Sequence, residues 1–265
     1  MSKKELHIIK IGGNVIDNSE TLHRFLKDFT AIDGYKMLVH GGGKVATQLS
    51  ETLGIEAKLV DGRRITDIET LRVVTMVYGG LINKNIVAQL QKFGTNAIGL
   101  TGADGNFIRT KKRPVKTIDY GFVGDIDDKS IDPKSLEKLM DAGFTPVFCA
   151  ITHDGEGQLL NTNADTIASA LAVALSKLYE TTLVYCFEKK GVLQDINDDE
   201  SLIREIDPKR YEKLKEQQII HSGMLPKLDN AFTAINCGVK AVIIGKSDDL
   251  GQLKHEKSFG TRLSK

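Results

Sequence analysis

Apolar and polar positions along this chain fall into two alternating patterns. Short continuous apolar runs rich in β-branched residues, at 6–11, 36–40, 96–100, 145–151, 183–187 and 239–244, predict buried strands. Between them apolar residues recur at helical spacing, as at Leu22, Phe25, Leu26 and Phe29, or Val45, Leu49 and Leu53. The same spacing predicts a long helix over 67–93 and further helices over 136–142, 166–175, 208–217 and 223–236. Asp17-Asn18-Ser19-Glu20 supplies an N-cap cluster, and Gly54, Gly143 and Gly238 supply stops. Strand–helix alternation predicts an α/β fold with a mainly parallel sheet covered on both faces. The turn-rich region 101–128 predicts small β-hairpins, and the acidic stretch 195–201 looks disordered. A domain change is expected near 178–182, where a second run of strand–helix units begins.

The ends of the strands carry the informative residues. Lys10 closes an apolar run immediately before Gly12 and Gly13. A buried lysine beside bare backbone amides suits an anion such as phosphate, and a lysine snorkelling off an edge strand fits the same pattern. His40-Gly41-Gly42-Gly43-Lys44 repeats the device at a second strand end. Three glycines let amides approach a ligand at the positive end of a helix, although a tight turn would also use them. Arg63-Arg64-Ile65-Thr66 opens the long helical pattern, where an arginine suits bidentate capture of a carboxylate or serves as a solvated charge. In Asn161-Thr162-Asn163-Ala164-Asp165 either Asn163 or Asp165 can cap the alanine-rich helix that follows. Capping accounts for one of these polar residues, not three.

Composition narrows the field. The chain has 265 residues, 41% hydrophobic, enough for a substantial core. Lys plus Arg at 36 against Asp plus Glu at 35 leaves no global field for nucleic acid or an anionic membrane. No apolar run approaches the ~20 residues of a membrane span, and 1–6 lacks the apolar core of a signal peptide. A cytoplasmic location is the expectation. Cys149, Cys186 and Cys237 are odd in number and lie in apolar stretches, which predicts buried free thiols rather than disulfides or zinc ligands. There is no GxxxxGK[ST] loop, no GxGxxG after a strand, no GxSxG elbow, no HEXXH and no metal-spaced His/Cys cluster.

Six segments in order carry a resemblance: Ile9-Lys10-Ile11-Gly12-Gly13, His40-Gly41-Gly42-Gly43, Gly62-Arg63-Arg64-Ile65-Thr66, Gly102-Ala103-Asp104-Gly105, Asn161-Thr162-Asn163-Ala164-Asp165 and Gly223-Met224-Leu225-Pro226-Lys227. Together they resemble the amino-acid kinase family over essentially the whole chain, and within it the branch that phosphorylates N-acylglutamates in arginine biosynthesis. The resemblance implies a three-layer αβα sandwich around a mainly parallel central sheet, with small β-hairpins over the substrate site. It implies an acyl-amino-acid lobe over 1–179 and a nucleotide lobe over 180–265. The reaction implied moves the γ-phosphoryl of ATP onto the side-chain carboxylate of N-acetyl-L-glutamate or a close N-acylglutamate, giving an acyl phosphate.

By the same resemblance Lys10 and Lys227 would clamp the transferring phosphoryl, with Asp165 holding both ammonium groups. Like charges ~4 Å apart repel by ~4 kcal/mol at an effective dielectric of 20, so an intervening carboxylate has a physical reason. Gly42, Gly43, Arg64 and Asn161 would bind the acyl amino acid, and Gly12, Gly13, Glu188, Gly191, Gly223 and Met224 the nucleotide. Magnesium would arrive on the nucleotide phosphates rather than in a protein cage. A glutamate side chain is ionised at neutral pH, so no general base is needed. Two departures stand out: Phe187-Glu188-Lys189-Lys190 where members usually carry a Ser/Thr-Asp pair, and one glycine, Gly223, where a pair is frequent. Arginine-inhibited members carry an extra N-terminal helix, and Lys10 lies close to Met1, which points to a homodimer that arginine does not inhibit. Related phosphotransferases acting on carbamate, aspartate, glutamate or a nucleoside monophosphate, and a non-catalytic sensor, are the competing readings.

Overall fold

The structure is a computed structural model that describes residues 3–60, 63–220, 224–254 and 258–265. Its main strands are β1 (Glu5–Ile11), β2 (Tyr35–His40), β3 (Ala97–Leu100), β4 (Thr145–Cys149), β5 (Glu180–Phe187), β6 (Glu205–Ile206), β7 (Ala241–Lys246) and β8 (Thr261–Leu263). Its main helices are α1 (Ser19–Thr30), α2 (Gly43–Thr52), α3 (Ile68–Val74), α4 (Asn83–Lys92), α5 (Pro133–Asp141), α6 (Ala164–Leu175), α7 (Pro208–Glu216) and α8 (Leu225–Asn236). The chain is an α/β protein with mainly parallel strands flanked by helices, as the alternation predicts.

Packing divides it into two compact units, Met1–Met37 with Ala168–Lys265, and Leu38–Ile167. The chain passes between them inside β2 and again inside α6. The lobes expected over 1–179 and 180–265 do not coincide with these units.

In the first unit the strand order is β6-β8-β7-β5-β1. β1 pairs in parallel with β5 from Glu5 opposite Glu180 to Ile11 opposite Cys186, and β5 pairs in parallel with β7. The short β8 pairs antiparallel with β7, and β6 pairs in parallel with β8, so both of these edge strands run against the others. Leu6, Ile8, Ile9, Ile11, Leu183 and Val184 are fully buried, as befits strands covered on both faces. α1 lays Leu22, Phe25, Leu26 and Phe29 into this core, and Asn18 caps it by accepting from the Thr21 amide. The acidic stretch is ordered rather than disordered. Lys190 pairs with Glu200 at 2.8 Å, Lys189 donates to the Ile196 carbonyl, and Leu193 bridges to Leu202. Local pairing with two lysines, invisible to composition, holds it.

In the second unit β2, β4 and β3 run parallel in that order. The long helical pattern is not one α-helix: α3 passes through a π-helical segment, Thr75–Ile82, into α4. Gly79 and Gly80 lie in that segment, where loose backbone tolerates the wider turn. The run predicted over 145–151 also breaks in two, with Ile151–His153 turning away to pair antiparallel with Leu159–Asn161. Of the cysteines, Cys149 and Cys186 are buried, and burial pushes both thiols up to about 12. Cys237 departs from expectation: it is exposed, because it terminates α8.

A buried polar pair anchors the end of β2. His40 is fully buried, and its Nδ1–H donates to the Gly41 carbonyl, which leaves Nε2 to accept from the Asn83 amide. Asn83 also donates to the Val147 carbonyl on β4. Burial lowers the His40 pKa from 6.5 to about 4, with the Lys84 charge adding to the effect and the Gly41 contact opposing it. The imidazole is therefore neutral in the folded protein, whereas the unfolded chain protonates it below 6.5. Stability from this site is complete above pH 6.5 and drains away as pH falls. Urea unfolding at pH 6.5 and pH 4 should show the wild type losing about 3 kcal/mol more than His40→Gln. Parallel losses in the two proteins would rule out a neutral, buried imidazole.

Candidate active site

In the first unit, β1 delivers Lys10 to the start of the one-turn helix Gly13–Ile16. Lys10 is only 8% exposed. It faces Tyr185 in the parallel register, and Phe187, two residues further along β5, stacks on Tyr185 at 6.0 Å. Three side chains therefore share one face, and the Lys10 ammonium lies 5.5 Å from the Phe187 ring centre. Lys227, in the first turn of α8, brings its ammonium to 3.9 Å from the same ring. Two residues 217 positions apart in sequence thus converge on one aromatic side chain.

The glycines of this unit divide by cause. A Cβ on Gly12 would meet nothing within 4 Å, and one on Gly13 only Asp17 Oδ2 at 3.7 Å. Neither glycine is demanded by packing, so bare backbone here leaves room for something outside the chain. Gly191 is demanded by packing: its φ is +157°, and a Cβ would sit 2.6 Å from Leu202 Cδ1 and Thr261 Oγ1. Glu188 is exposed and Met224 half-buried. Lys190, beside Gly191, lines a cavity of about 330 Å³ with Leu202, Arg204, Asp249 and Ser258. Gly223, with His221 and Ser222, lies outside the described residues, as do Asp61 and Gly62.

In the second unit, β2 ends at His40 and α2 begins at Gly43, with Gly42 as N-cap at φ +152°. A Cβ on Gly42 would collide with Ile82 Cδ1 and lie 3.0 Å from the Tyr78 ring, both on the π-helical segment. The π turn is pressed against the glycine loop. Arg64 also reaches this loop, donating from Nη2 to the Gly43 carbonyl at 3.0 Å and to Thr47 Oγ1 at 2.7 Å. Its Nη1 is buried with no hydrogen-bond partner among the described residues. Burial raises the Tyr78 phenol pKa and the Arg64 charge opposes it, which places a neutral hydroxyl and a fixed cation side by side.

Asn161 belongs to the same patch. Its side-chain amide donates to Thr66 Oγ1 at 3.0 Å, and its backbone amide donates to the Phe122 carbonyl. Thr66 in turn exchanges backbone hydrogen bonds with Tyr120 and Phe122, so Arg64, Thr66 and Asn161 are knitted into one small-strand network. Beneath it Thr110, Thr152 and Thr162 chain their hydroxyls at 2.8 and 2.7 Å around Gly124, where no side chain fits. The capping question at 163–165 is resolved: Asn163 accepts from the Thr166 amide, leaving Asp165 in the first turn of α6 for another task.

Each unit therefore carries a cationic site of its own. The first holds two ammonium groups beside uncluttered glycines. The second holds a guanidinium with a spare donor beside a helix N-terminus, with orphan amides that favour anions. Among the described residues no group of three or more His, Cys, Asp or Glu side chains is placed to hold a metal ion. His40 is not available as a base, since its Nε2 already accepts from Asn83. Sequence reasoning marked Phe187 only as a departure from the family pattern and missed its meeting with the two lysines, as it missed Tyr78, Thr47 and the His40–Asn83 pair. An aromatic at a strand end is ordinarily core, and nothing in the spacing marks Asn83.

This combination defines a phosphoryl transferase of a particular class: the chain belongs to the amino acid kinase family, matching it over residues 5–246. Within that family it is similar to the acetylglutamate kinase of Cytophaga hutchinsonii, 59% identical over 262 residues and covering 98% of each chain. It is likewise similar to the acetylglutamate kinase of Parabacteroides distasonis, 57% identical, with 97% of this chain and 100% of that one covered. Among solved structures, smu.665 of Streptococcus mutans UA159 superposes with a TM-score of 0.76 at 26% identity, over 98% of both chains.

The two kinds of glycine should respond differently to a methyl group. Gly42→Ala should lose at least about 2 kcal/mol of stability from overlap and strained φ, several degrees of melting temperature. Gly12→Ala should stay within about 0.5 kcal/mol of wild type by calorimetry. Equal losses would remove the distinction.

Proposed function

We propose that the chain transfers the γ-phosphoryl group of ATP to the side-chain carboxylate of N-acetyl-L-glutamate, or a close N-acylglutamate, as an acetylglutamate kinase of arginine biosynthesis. The observation that carries this reading is Arg64, a guanidinium fixed by Gly43 and Thr47 with a buried Nη1 left to donate. A buried cationic donor is costly unless something anionic meets it, and the α-carboxylate of an acyl amino acid fits. Carbamate has no second carboxylate to satisfy it.

The carboxylate of the substrate side chain is ionised at neutral pH. One of its oxygens attacks the γ-phosphorus, the bond to the β,γ-bridging oxygen breaks, and ADP departs with the electron pair. No proton moves, in keeping with a His40 that is neutral and already engaged. The obstacle is mutual repulsion of anions, so positioning and charge stabilisation carry the catalysis. Lys10 and Lys227 stabilise the equatorial oxygens, and Asp165 contributes a carboxylate from the first turn of α6. Gly13 and Gly43 donate amides, Gly42 and Asn161 face the acyl amino acid, and Gly12, Glu188, Gly191 and Met224 border the nucleotide. Magnesium carried by the nucleotide phosphates would add charge neutralisation there. On this reading 1–179 carries the acyl-amino-acid site and 180–265 the nucleotide site.

The protein works in the cytoplasm as a homodimer. Among the described residues no helix is long and apolar enough to cross a membrane. Met76 and Leu81, about half exposed on the π-helical segment, offer apolar surface for a second copy.

An ADP-release assay should show turnover with N-acetylglutamate or N-succinylglutamate and little with carbamate, aspartate or free glutamate; the reverse order would overturn the assignment. Lys227→Ala should lower kcat by about 100-fold or more with the circular dichroism spectrum unchanged. Arg64→Ala should raise KM for the acyl amino acid about 10- to 100-fold, the worth of lost charge-assisted hydrogen bonds. Unaltered kinetics in either variant would remove that residue from the machinery.

A further inference from the structure

Phe187 lies 3.9 Å from the Lys227 ammonium and 5.5 Å from that of Lys10, both inside the range at which an aromatic ring attracts a cation. The ring is well supported. It ends β5, stacks on Tyr185 with an interplanar angle of 19°, and is in register with Lys246 of β7. Lys246 is turned elsewhere, toward Asp248 at 3.4 Å. The ring thus serves the two lysines that the proposed reaction uses.

Resting on that reaction, we propose that Phe187 is a positioning residue: its π face is a shared platform that gathers the ammonium groups of Lys10 and Lys227 before the nucleotide arrives. The physical logic differs from that of a carboxylate. A carboxylate attracts ammonium groups by neutralising them and by taking up their N–H donors. A ring presents only the partial negative charge of its face. It restrains two mutually repelling cations without neutralising either charge. Preorganisation of this kind acts on the rate of the chemical step rather than on capture of the acyl amino acid.

The test is a graded weakening of the π face at constant shape. 4-Fluoro-, 3,4,5-trifluoro- and pentafluorophenylalanine are placed at position 187, beside Phe187→Tyr and Phe187→Leu. We expect log kcat to fall stepwise with fluorination, to near wild type in Phe187→Tyr, and by roughly 3- to 30-fold in Phe187→Leu. KM for N-acetylglutamate and the melting temperature should hold. In the wild type the Hε protons of Lys227 should resonate upfield, shifted by the ring, and should return to ordinary values in Phe187→Leu. Wild-type kcat throughout the fluorinated series would overturn the platform, as would Lys227 shifts that ignore Phe187→Leu. No turnover in the wild type would instead overturn the reaction reading, and the Lys227 shifts would still decide whether the ring holds the lysine.

Discussion

A lysine on a strand buried on both faces is the constraint around which the first unit is arranged. Desolvating an ammonium costs several kcal/mol unless partners offset it. β1 places Lys10 beside Tyr185 and below Phe187, so that its long stem lies along aromatic surface and its charge meets a ring. α8 then directs Lys227 to the same ring. The arrangement is stable only as far as the ring and strand register are. A one-residue slip between β1 and β5 would send Lys10 to the opposite face.

The second unit handles a comparable difficulty with hydrogen bonds. His40 and Asn83 tie down the strand end before the glycine loop, Arg64 ties the loop itself through Gly43 and Thr47, and the three linked threonines tie the small strands around Gly124. Arg64 Nη1 is the exception, left without a partner among the described residues. Binding sites commonly keep such an unsatisfied group, because its desolvation has already been paid when the ligand arrives.

Much of this was legible in the sequence. The apolar runs located six of the eight main strands to within a few residues, leaving out the short β6 and β8, and the glycines after Lys10 and His40 marked the strand ends that matter. Periodicity could not reveal the π-helical segment, since its apolar residues fit an α-helical pattern equally well. It could not separate Gly12, which faces open space, from Gly42, which is forced by Ile82 and by φ. Nor could composition show that Lys189 and Lys190 order the acidic stretch, or that an aromatic side chain at 187 meets two lysines from distant elements. Those are properties of pairing in space, and sequence spacing carries no record of them.

The unequal fates of the cysteines open a practical route. Cys149 and Cys186 stay as thiols at any physiological pH, sealed from electrophiles and oxidants, because the reactive thiolate is suppressed by burial. Cys237 alone is accessible, and it caps the far end of the helix whose first turn bears Lys227. A maleimide dye would therefore attach at one place without mutagenesis, and its fluorescence would follow that helix as nucleotide comes and goes.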